Sequence, residues 1–121
     1  MKKLIFLSQL LTMIGAASPA WAQNLGGGKN LYASYCATCH GDQGKGDGVA
    51  ASSLPVKPRD HTNGAVMNPL TDQFLADIIA KGGGAVGKST FMPSWGGSLN
   101  EKQIRDVVVH IRTLAVPPYK P

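Results

Sequence analysis

The chain has two cysteines, which lie close together and are followed at once by a histidine, in the run Cys36-Ala37-Thr38-Cys39-His40. Two cysteines at this spacing can form a structural disulfide or a catalytic dithiol. Neither needs the histidine, and no thioredoxin-like pattern of strand and helix surrounds the motif. Cys-x-x-Cys-His is the attachment motif of a c-type haem, in which each thiol adds to a vinyl group of one porphyrin and His40 ligates the iron. The motif predicts one covalently attached haem c.

The composition fits a domain that contains a prosthetic group. The chain of 121 residues has 15 glycines, and only 7% of its residues are aromatic. A domain of this size usually needs large apolar side chains or staples, because it buries a small share of its surface. A haem would supply the large apolar body that the aromatic residues do not provide.

Met92 is the main candidate for the second axial ligand of the iron. Pro93 follows it and excludes a continuing helix, so a stiff loop would present the thioether on the face opposite His40. Phe91 and Trp95 would keep that pocket dry. The alternative role for Met92 is that of a flexible gap-filler in the core.

Three other side chains are weaker candidates for this ligand. Met67 also lies in a predicted loop, shortly before Pro69. His61 lies in a polar loop and is expected to be solvated or hydrogen-bonded. His110 lies beside the apolar stripe of a predicted helix and is expected to pack there.

The first 22 residues have the three parts of a secretory signal: two lysines, an apolar run from Leu4 to Ala17, and small residues up to Ala22. The run is shorter than the about 20 apolar residues of a spanning helix. We expect cleavage, with a retained anchor as the alternative, so that residues 23–121 form one domain, periplasmic or otherwise exported and not integral to the membrane. The net charge of +5, which falls further without the signal lysines, is too small and scattered for nucleic-acid binding.

Three helices are expected, at about 29–39, from 71 or 72 to the glycines at 82, and from 98 to the prolines at 117 and 118. A glycine linker at 26–28 precedes the first, and a long loop at 41–69 would wrap the prosthetic group. Thr71 or Asp72 caps the second helix. Ser98 and Glu101 form a capping box at the third. The apolar residues of the third helix repeat at helical spacing and form a stripe: Ile104, Val107, Val108 and Ile111. No segment predicts a strand, so the fold class is all-α.

Two motif matches do not fit their surroundings. Residues 82–89 match the pattern of a phosphate-binding loop, which needs a strand before it and a helix after it. Here a helix precedes and Pro93 follows. Residues 42–53 lack the carboxylates of a calcium loop. We therefore expect neither a bound nucleotide nor calcium.

Together these features resemble those of the small monohaem class I cytochromes c. The resemblance covers about residues 27–114 and rests on the haem motif, the glycine-rich stretch 41–48, the run Lys-Pro-Arg-Asp at 57–60, Met-Pro-Ser-Trp at 92–95 and the apolar helix around 107–112. It implies the cytochrome c fold, in which three to five helices and long loops surround one haem.

The resemblance also implies roles for individual residues. Cys36 and Cys39 attach the haem, His40 is the proximal ligand and Met92 the distal ligand. Glycines of the first helix let an aromatic residue of the last helix approach closely, and His110 stands at that position here. Relatives often use a proline carbonyl to accept the proton of the proximal histidine; the carbonyl of Val49 would take its place.

With both axial positions filled, the iron has no site for a substrate, so we expect an electron-transfer protein and not an enzyme. It would pass single electrons between exported or membrane-bound redox partners. The alternatives are a haem c subunit of a larger dehydrogenase or terminal oxidase complex, and a gas-binding or sensory haem protein.

Charged and aromatic residues near the motifs complete the candidate site. Arg59 and Trp95 are expected to bind the haem propionates, with a solvated or packing role as the alternative. Four lysines are expected to surround the haem edge and steer the protein towards an acidic partner: Lys45, Lys57, Lys81 and Lys88. The alternative for them is scattered solubilising charge.

Overall fold

The computed structural model describes residues 25–121, which form five α-helices and two short 3₁₀ turns. The helices are α1 (Leu25–Tyr35), α2 (Ala37–His40), α3 (Gly64–Met67), α4 (Asp72–Lys81) and α5 (Glu101–Leu114), and the 3₁₀ turns are Ala51–Ser53 and Gly84–Val86. Within this part of the chain there is no strand, and an isolated bridge joins Asn63 to Val116. The predicted all-α class is confirmed. The predicted signal, residues 1–22, lies outside the described residues.

Helices α1 and α5 cross in direct backbone contact at Gly28. A Cβ atom at this position would collide with the carbonyl oxygen of Asp106 and lie 3.3 Å from the Cβ atom of His110. The expected close approach of the first and last helices is therefore present. The predicted linker at 26–28 is wrong, because these glycines belong to α1. Burial of the crossing offsets the roughly 1 kcal/mol by which a glycine disfavours a helix.

The core lies between α1, α4 and α5. Its buried side chains are Tyr32, Met67, Leu75, Ile79, Leu99, Ile104, Val107, Val108 and Ile111. The four residues from α5 are those of the predicted apolar stripe, which is confirmed. Tyr32 and Val107 are almost completely buried, with 1% and 0% of their surfaces exposed, so the centre of the core lies at the α1–α5 crossing.

The two long helices after α1 differ in how well their caps were predicted. Thr71 caps α4 as expected, since its hydroxyl accepts a hydrogen bond from the Phe74 amide at 3.1 Å. The predicted Ser98–Glu101 box is wrong. Asn100 and Gln103 form the capping box of α5, with 2.9 Å between side chain and backbone in both directions. The Ser98 amide instead donates to the Trp95 carbonyl in the preceding turn.

Arg112 joins α5 to the segment between α3 and α4. Its guanidinium donates to the carboxylate of Asp72 at 2.8 Å and to the backbone oxygens of Met67 and Leu70 at 2.9 and 2.5 Å. Only 8% of the Arg112 side chain is exposed. Because its donors are satisfied by one carboxylate and two carbonyls, the buried cation is well compensated, and it holds the segment in place.

The expected loop at 41–69 is more structured than predicted. It contains a 3₁₀ turn and α3, and its first part folds back onto α2. The amide of Gly46 donates to the carbonyl of His40 at 2.7 Å, and the amide of Gly48 to that of Cys39 at 3.1 Å. Gly46 has a φ of 75° and lies against the carbonyl of Pro58, where a side chain would not fit. The loop thus forms a wall beside the haem motif.

The α1–α5 crossing generates a prediction for stability. Replacing Gly28 with alanine should lower the free energy of unfolding by about 1–3 kcal/mol, because the new methyl group collides with backbone that cannot yield. This opposes the intrinsic preference of helices for alanine. Denaturant unfolding of the purified protein measures the effect. Gly97→Ala is the control, since no atom lies within 4 Å of a Cβ there, and it should leave stability nearly unchanged. An unchanged or higher stability of Gly28→Ala would contradict the tight contact.

Candidate functional site

The Cys-x-x-Cys-His motif forms a turn of helix at the end of α1. The amide of Cys36 donates to the carbonyl of Tyr32 at 2.8 Å, and the amide of His40 donates to the carbonyl of Cys36 at 2.9 Å. Both thiols are free and partly buried. Since the backbone is helical throughout, Cys36, Cys39 and His40 all reach the same cavity.

This cavity lies between α2, α4, α5 and the loop before α5, and has a volume of about 420 Å³. Its lining is mainly apolar, with side chains such as Leu54, Leu75, Ile79 and Ile111. Size and lining are those of a small-molecule or cofactor pocket, for which about 300–1,000 Å³ is typical. A wider and more polar groove lies near Lys29 and Gln43 and shares no residue with the cavity; of the candidate ligands, His110 alone lines it.

The imidazole of His40 has the tautomer and the protonation state of a metal ligand. Its Nδ1 atom lies 2.9 Å from the backbone oxygen of Arg59, so Nδ1 carries the proton and Nε2 keeps its lone pair. Burial lowers the pKa of His40, against the opposing effect of this hydrogen bond, and the ring is therefore neutral at pH 7. The prediction that the Val49 carbonyl accepts this proton is wrong. Val49 is 88% exposed, and the 41–63 segment brings the Arg59 carbonyl to the ring instead.

Met92 and Met67 both line the cavity, so the structure does not separate the two candidates by position alone. Met92 is partly buried and lies in a loop, and its backbone oxygen accepts a hydrogen bond from the Gly83 amide at 3.0 Å. Met67 lies at the end of α3 with only 2% of its surface exposed. The two thioethers thus differ in their backbone support and in their burial.

Arg59 and Trp95 also line the cavity. Arg59 has an exposed side chain and contributes its carbonyl to His40. The Trp95 ring packs edge to face against Tyr35, with 5.2 Å between ring centroids, and its amide donates to the Ile79 carbonyl at 2.9 Å. A packing role for Trp95 is therefore present, whatever else its indole N–H binds.

His61, a weaker ligand candidate in the sequence, is buried, which the sequence did not predict. Only 8% of it is exposed. Its ring stacks on that of His40, with centroids 4.2 Å apart and an angle of 17°, and its Nδ1 atom is hydrogen-bonded to the Tyr32 hydroxyl at 2.9 Å. Burial and then the neighbouring His40 lower the pKa of His61 to about 3. The expectation of a hydrogen bond is confirmed and that of solvation is wrong. Its polar neighbours in the sequence give no sign of burial.

His110 packs as expected. It is buried, and its ring lies 5.0 Å from that of Tyr32 at an angle of 60°. Tyr32 therefore lies between His110 and His61, and burial raises the pKa of its hydroxyl, which stays protonated.

The four predicted lysines do not form one group. Lys57 and Lys88 line the cavity, whereas Lys45 does not. Lys81 is on α4 and pairs with Asp77 at 3.2 Å. Exposed apolar side chains accompany the two cavity lysines: Val56, Val66 and Phe91.

Two alternatives from the sequence find no support in the geometry. Burial and then the nearby Cys39 raise the pKa of the Cys36 thiol to about 12, whereas a catalytic dithiol needs a lowered pKa. In the phosphate-loop match, the amides of Gly83 and Lys88 donate to the carbonyls of Met92 and Gly83 at 3.0 and 2.8 Å. These amides face the loop's own backbone and not a phosphate site.

Residues 23–111 match the family described as cytochrome C oxidase, cbb3-type, subunit III. The Cbb3-type cytochrome c oxidase subunit FixP of Azorhizobium caulinodans is 31% identical over 87 residues, which cover 72% of this chain and 26% of the relative. The chain thus spans about a quarter of the length of that relative. No helix in residues 25–121 is both long and apolar enough to span a bilayer.

Two solved structures are similar in fold. The Kuenenia stuttgartiensis reducing HAO-like protein complex Kustc0457/Kustc0458 has a chain that is 30% identical, with a TM-score of 0.62 and coverage of 78% of this chain and 45% of that one. The KustC0563 c-type cytochrome has a TM-score of 0.60 at 20% identity, with coverage of 73% and 96%, a likeness that concerns the fold alone. The chain has the cytochrome c fold. It belongs to the cytochrome c family described as cytochrome C oxidase, cbb3-type, subunit III, whose members bind haem.

Proposed function

We propose that this chain is a one-electron carrier with a single covalently attached haem c in the cavity described above. The observation that supports this most is that two thiols, a neutral imidazole and a thioether line one mainly apolar cavity. When bound, the haem supplies an iron centre that changes between Fe(II) and Fe(III). The residues of the chain hold it, ligate it and exclude water from it.

Cys36 and Cys39 attach the haem, and His40 is its proximal ligand. Both thiols line the cavity and would hold the haem through thioether bonds to its two vinyl groups. His40 binds through Nε2, since its Nδ1 proton is held by the Arg59 carbonyl. Such an outer hydrogen bond fixes the tautomer and raises the basicity of the ligand.

Met92 is the distal ligand, and Met67 is a packing residue of the core. The Met92 loop is held to the end of α4, because the Trp95 amide donates to the Ile79 carbonyl and the Ser94 hydroxyl to the Ala80 carbonyl at 2.6 Å. A loop held in this way keeps the thioether in one place. The core position of Met67 accounts for that side chain without a ligand role.

With His40 and Met92 both as ligands, the iron would have no coordination position open to a substrate. The chain itself is therefore an electron-transfer protein and not an enzyme. A thioether ligand raises the reduction potential of the iron relative to a second imidazole. Arg59 and Trp95 both line the cavity and would stabilise the haem propionates through their side-chain N–H groups.

The mouth of the cavity is the docking surface for redox partners. Exposed Phe91 and Val56, each 56% exposed, lie there with Lys57 and Lys88. An apolar centre with cations beside it suits a brief encounter with an acidic partner protein. Residues 1–22 are a cleaved secretory signal, which places the carrier in the periplasm or otherwise outside the cytoplasm.

A second candidate function is that of a haem c subunit in a larger terminal oxidase or dehydrogenase complex. The match to an oxidase subunit family favours it. High salt separates the two candidates, because it screens the charges of a transient encounter. Co-migration with a partner at high salt would support the subunit, and migration alone would support the free carrier.

The ligand assignment predicts different results for the two methionines. Met92→Ala should abolish the weak near-red absorption band of ferric Met-ligated haem and lower the reduction potential. Met67→Ala should keep the band and instead lower the free energy of unfolding by about 2–5 kcal/mol, as loss of a buried side chain does. An optical spectrum and a redox titration of each variant measure this. Loss of the band in Met67→Ala alone would reverse the assignment.

The attachment assignment predicts that the Cys36→Ala, Cys39→Ala double variant contains no covalent haem and yields little folded protein, because the cavity is left without its occupant. Haem staining after denaturing electrophoresis and circular dichroism measure the two effects. Ser34→Ala, at an exposed position of α1, is the control and should retain haem. A folded double variant without haem would contradict the role of the haem in the core.

The docking surface predicts a charge effect on electron transfer. Lys57→Glu and Lys88→Glu should slow oxidation of the reduced protein by the anionic complex ferricyanide several-fold at low salt, and high salt should remove the difference. Stopped-flow absorbance measures the rate. Lys45→Glu has the same change in net charge away from the cavity lining and should have a smaller effect. Equal effects of all three would show that only net charge matters.

A further inference from the structure

The His61 ring covers one face of the His40 ring. The two imidazoles are nearly parallel, at 17°, and their centroids are 4.2 Å apart. Because His61 is stacked against His40, it lies beside the proximal ligand and does not face it across the haem. His61 has no role in the proposed electron transfer so far, because it is not one of the proposed iron ligands.

The hydrogen bond from His40 to the Arg59 carbonyl restrains rotation of the ring about its Cβ–Cγ bond only loosely. The torsion that turns a histidine ring about its Cβ–Cγ bond has broad minima, and a carbonyl oxygen accepts a hydrogen bond over a wide range of directions. A flat group packed against the ring face restricts this rotation, since a turn of the imidazole would drive its edge into the neighbour.

His61 is itself held from two sides. Its backbone amide donates to the Gly44 carbonyl at 2.6 Å, and its Nδ1 atom is hydrogen-bonded to the Tyr32 hydroxyl at 2.9 Å. Tyr32 is 1% exposed and is packed on its other side against His110. A leucine at position 61 would fill space but would leave the buried Tyr32 hydroxyl without this partner.

We propose that His61 is a positioning residue, which fixes the plane of the His40 imidazole by stacking on it while anchored to Tyr32. The role rests on the proposed function, in which His40 ligates the haem iron. In the ferric holoprotein, the orientations of both iron ligands would set which iron d orbital holds the unpaired electron. By fixing the plane of His40, His61 would fix the contribution of this ligand.

The test compares ferric holoprotein variants by NMR, in which the order of the hyperfine-shifted haem methyl resonances reports the ligand plane. His61→Leu should change this order. His61→Phe keeps a flat ring against His40 but loses the bond to Tyr32, so it should restore the wild-type order while the ring stays without its anchor. His110→Phe is the control, because it keeps an aromatic ring against Tyr32 and does not alter the His61–His40 stack; it should leave the order unchanged. An unchanged order in His61→Leu would overturn the proposal.

Tyr32→Phe provides a second measurement if the leucine variant does not accumulate. It removes only the anchor of His61, and should broaden the low-field line of the ferric electron paramagnetic resonance spectrum; a line of wild-type width would overturn the proposal. The ligand set is tested separately by the wild-type spectrum. If the wild type lacks a His/Met low-spin signal, the proposed function is contradicted. If the wild type has this signal and the variants have the same spectra as the wild type, only the positioning role is contradicted.

Discussion

The direct contact between the backbones of α1 and α5 at Gly28 is the constraint on which the rest of the structure depends. It brings Tyr32 of α1 into the buried core that also contains Val107 of α5. The carbonyl of Tyr32 accepts the hydrogen bond that begins the Cys-x-x-Cys-His turn. From the other helix, Ile111 lines the cavity. The crossing thus determines both the position of the motif and one wall of the pocket that it faces.

A layer of aromatic rings extends from this crossing to the candidate ligand. His110 lies beside Gly28, Tyr32 lies between His110 and His61, and His61 is stacked on His40. Because each ring is buried and in contact with the next, a displacement of the helices would also displace the His40 imidazole. Protein interiors transmit such strain since they are closely packed. The fold and the geometry of the ligand are therefore coupled through a short series of contacts.

Features that depend on neighbouring residues were predictable from the sequence, and features that depend on distant ones were not. The haem motif, the Thr71 cap and the apolar stripe of α5 are each formed by residues a few positions apart. The spacing of those residues is therefore enough to predict each feature. The burial of His61 and the use of the Arg59 carbonyl depend on how the 41–63 segment folds back onto α2. That segment is polar and rich in glycine, and its residue types do not predict the course of its backbone.

The cap of α5 shows the same distinction at a finer scale. Both Ser98–Glu101 and Asn100–Gln103 have the spacing of a capping box, and the local sequence does not choose between them. Leu99 decides, because its side chain is 3% exposed in the core and the turn that brings it there uses the Ser98 amide. With the helix beginning after Asn100, Leu99 and Ile104 take the two positions of a hydrophobic staple.

The loops around the cavity are held in a way that suits electron transfer. An electron moves fastest when the surroundings of the iron need little rearrangement between its two oxidation states. The His40 ring is held by a carbonyl and a stacked ring, and the Met92 loop by hydrogen bonds to the last turn of α4. Arg112 in turn fixes the segment that leads into α4. This support on both sides of the cavity suits a free carrier and a complex subunit equally, so the difference between these two proposed functions lies in the partner surface and not in the cavity.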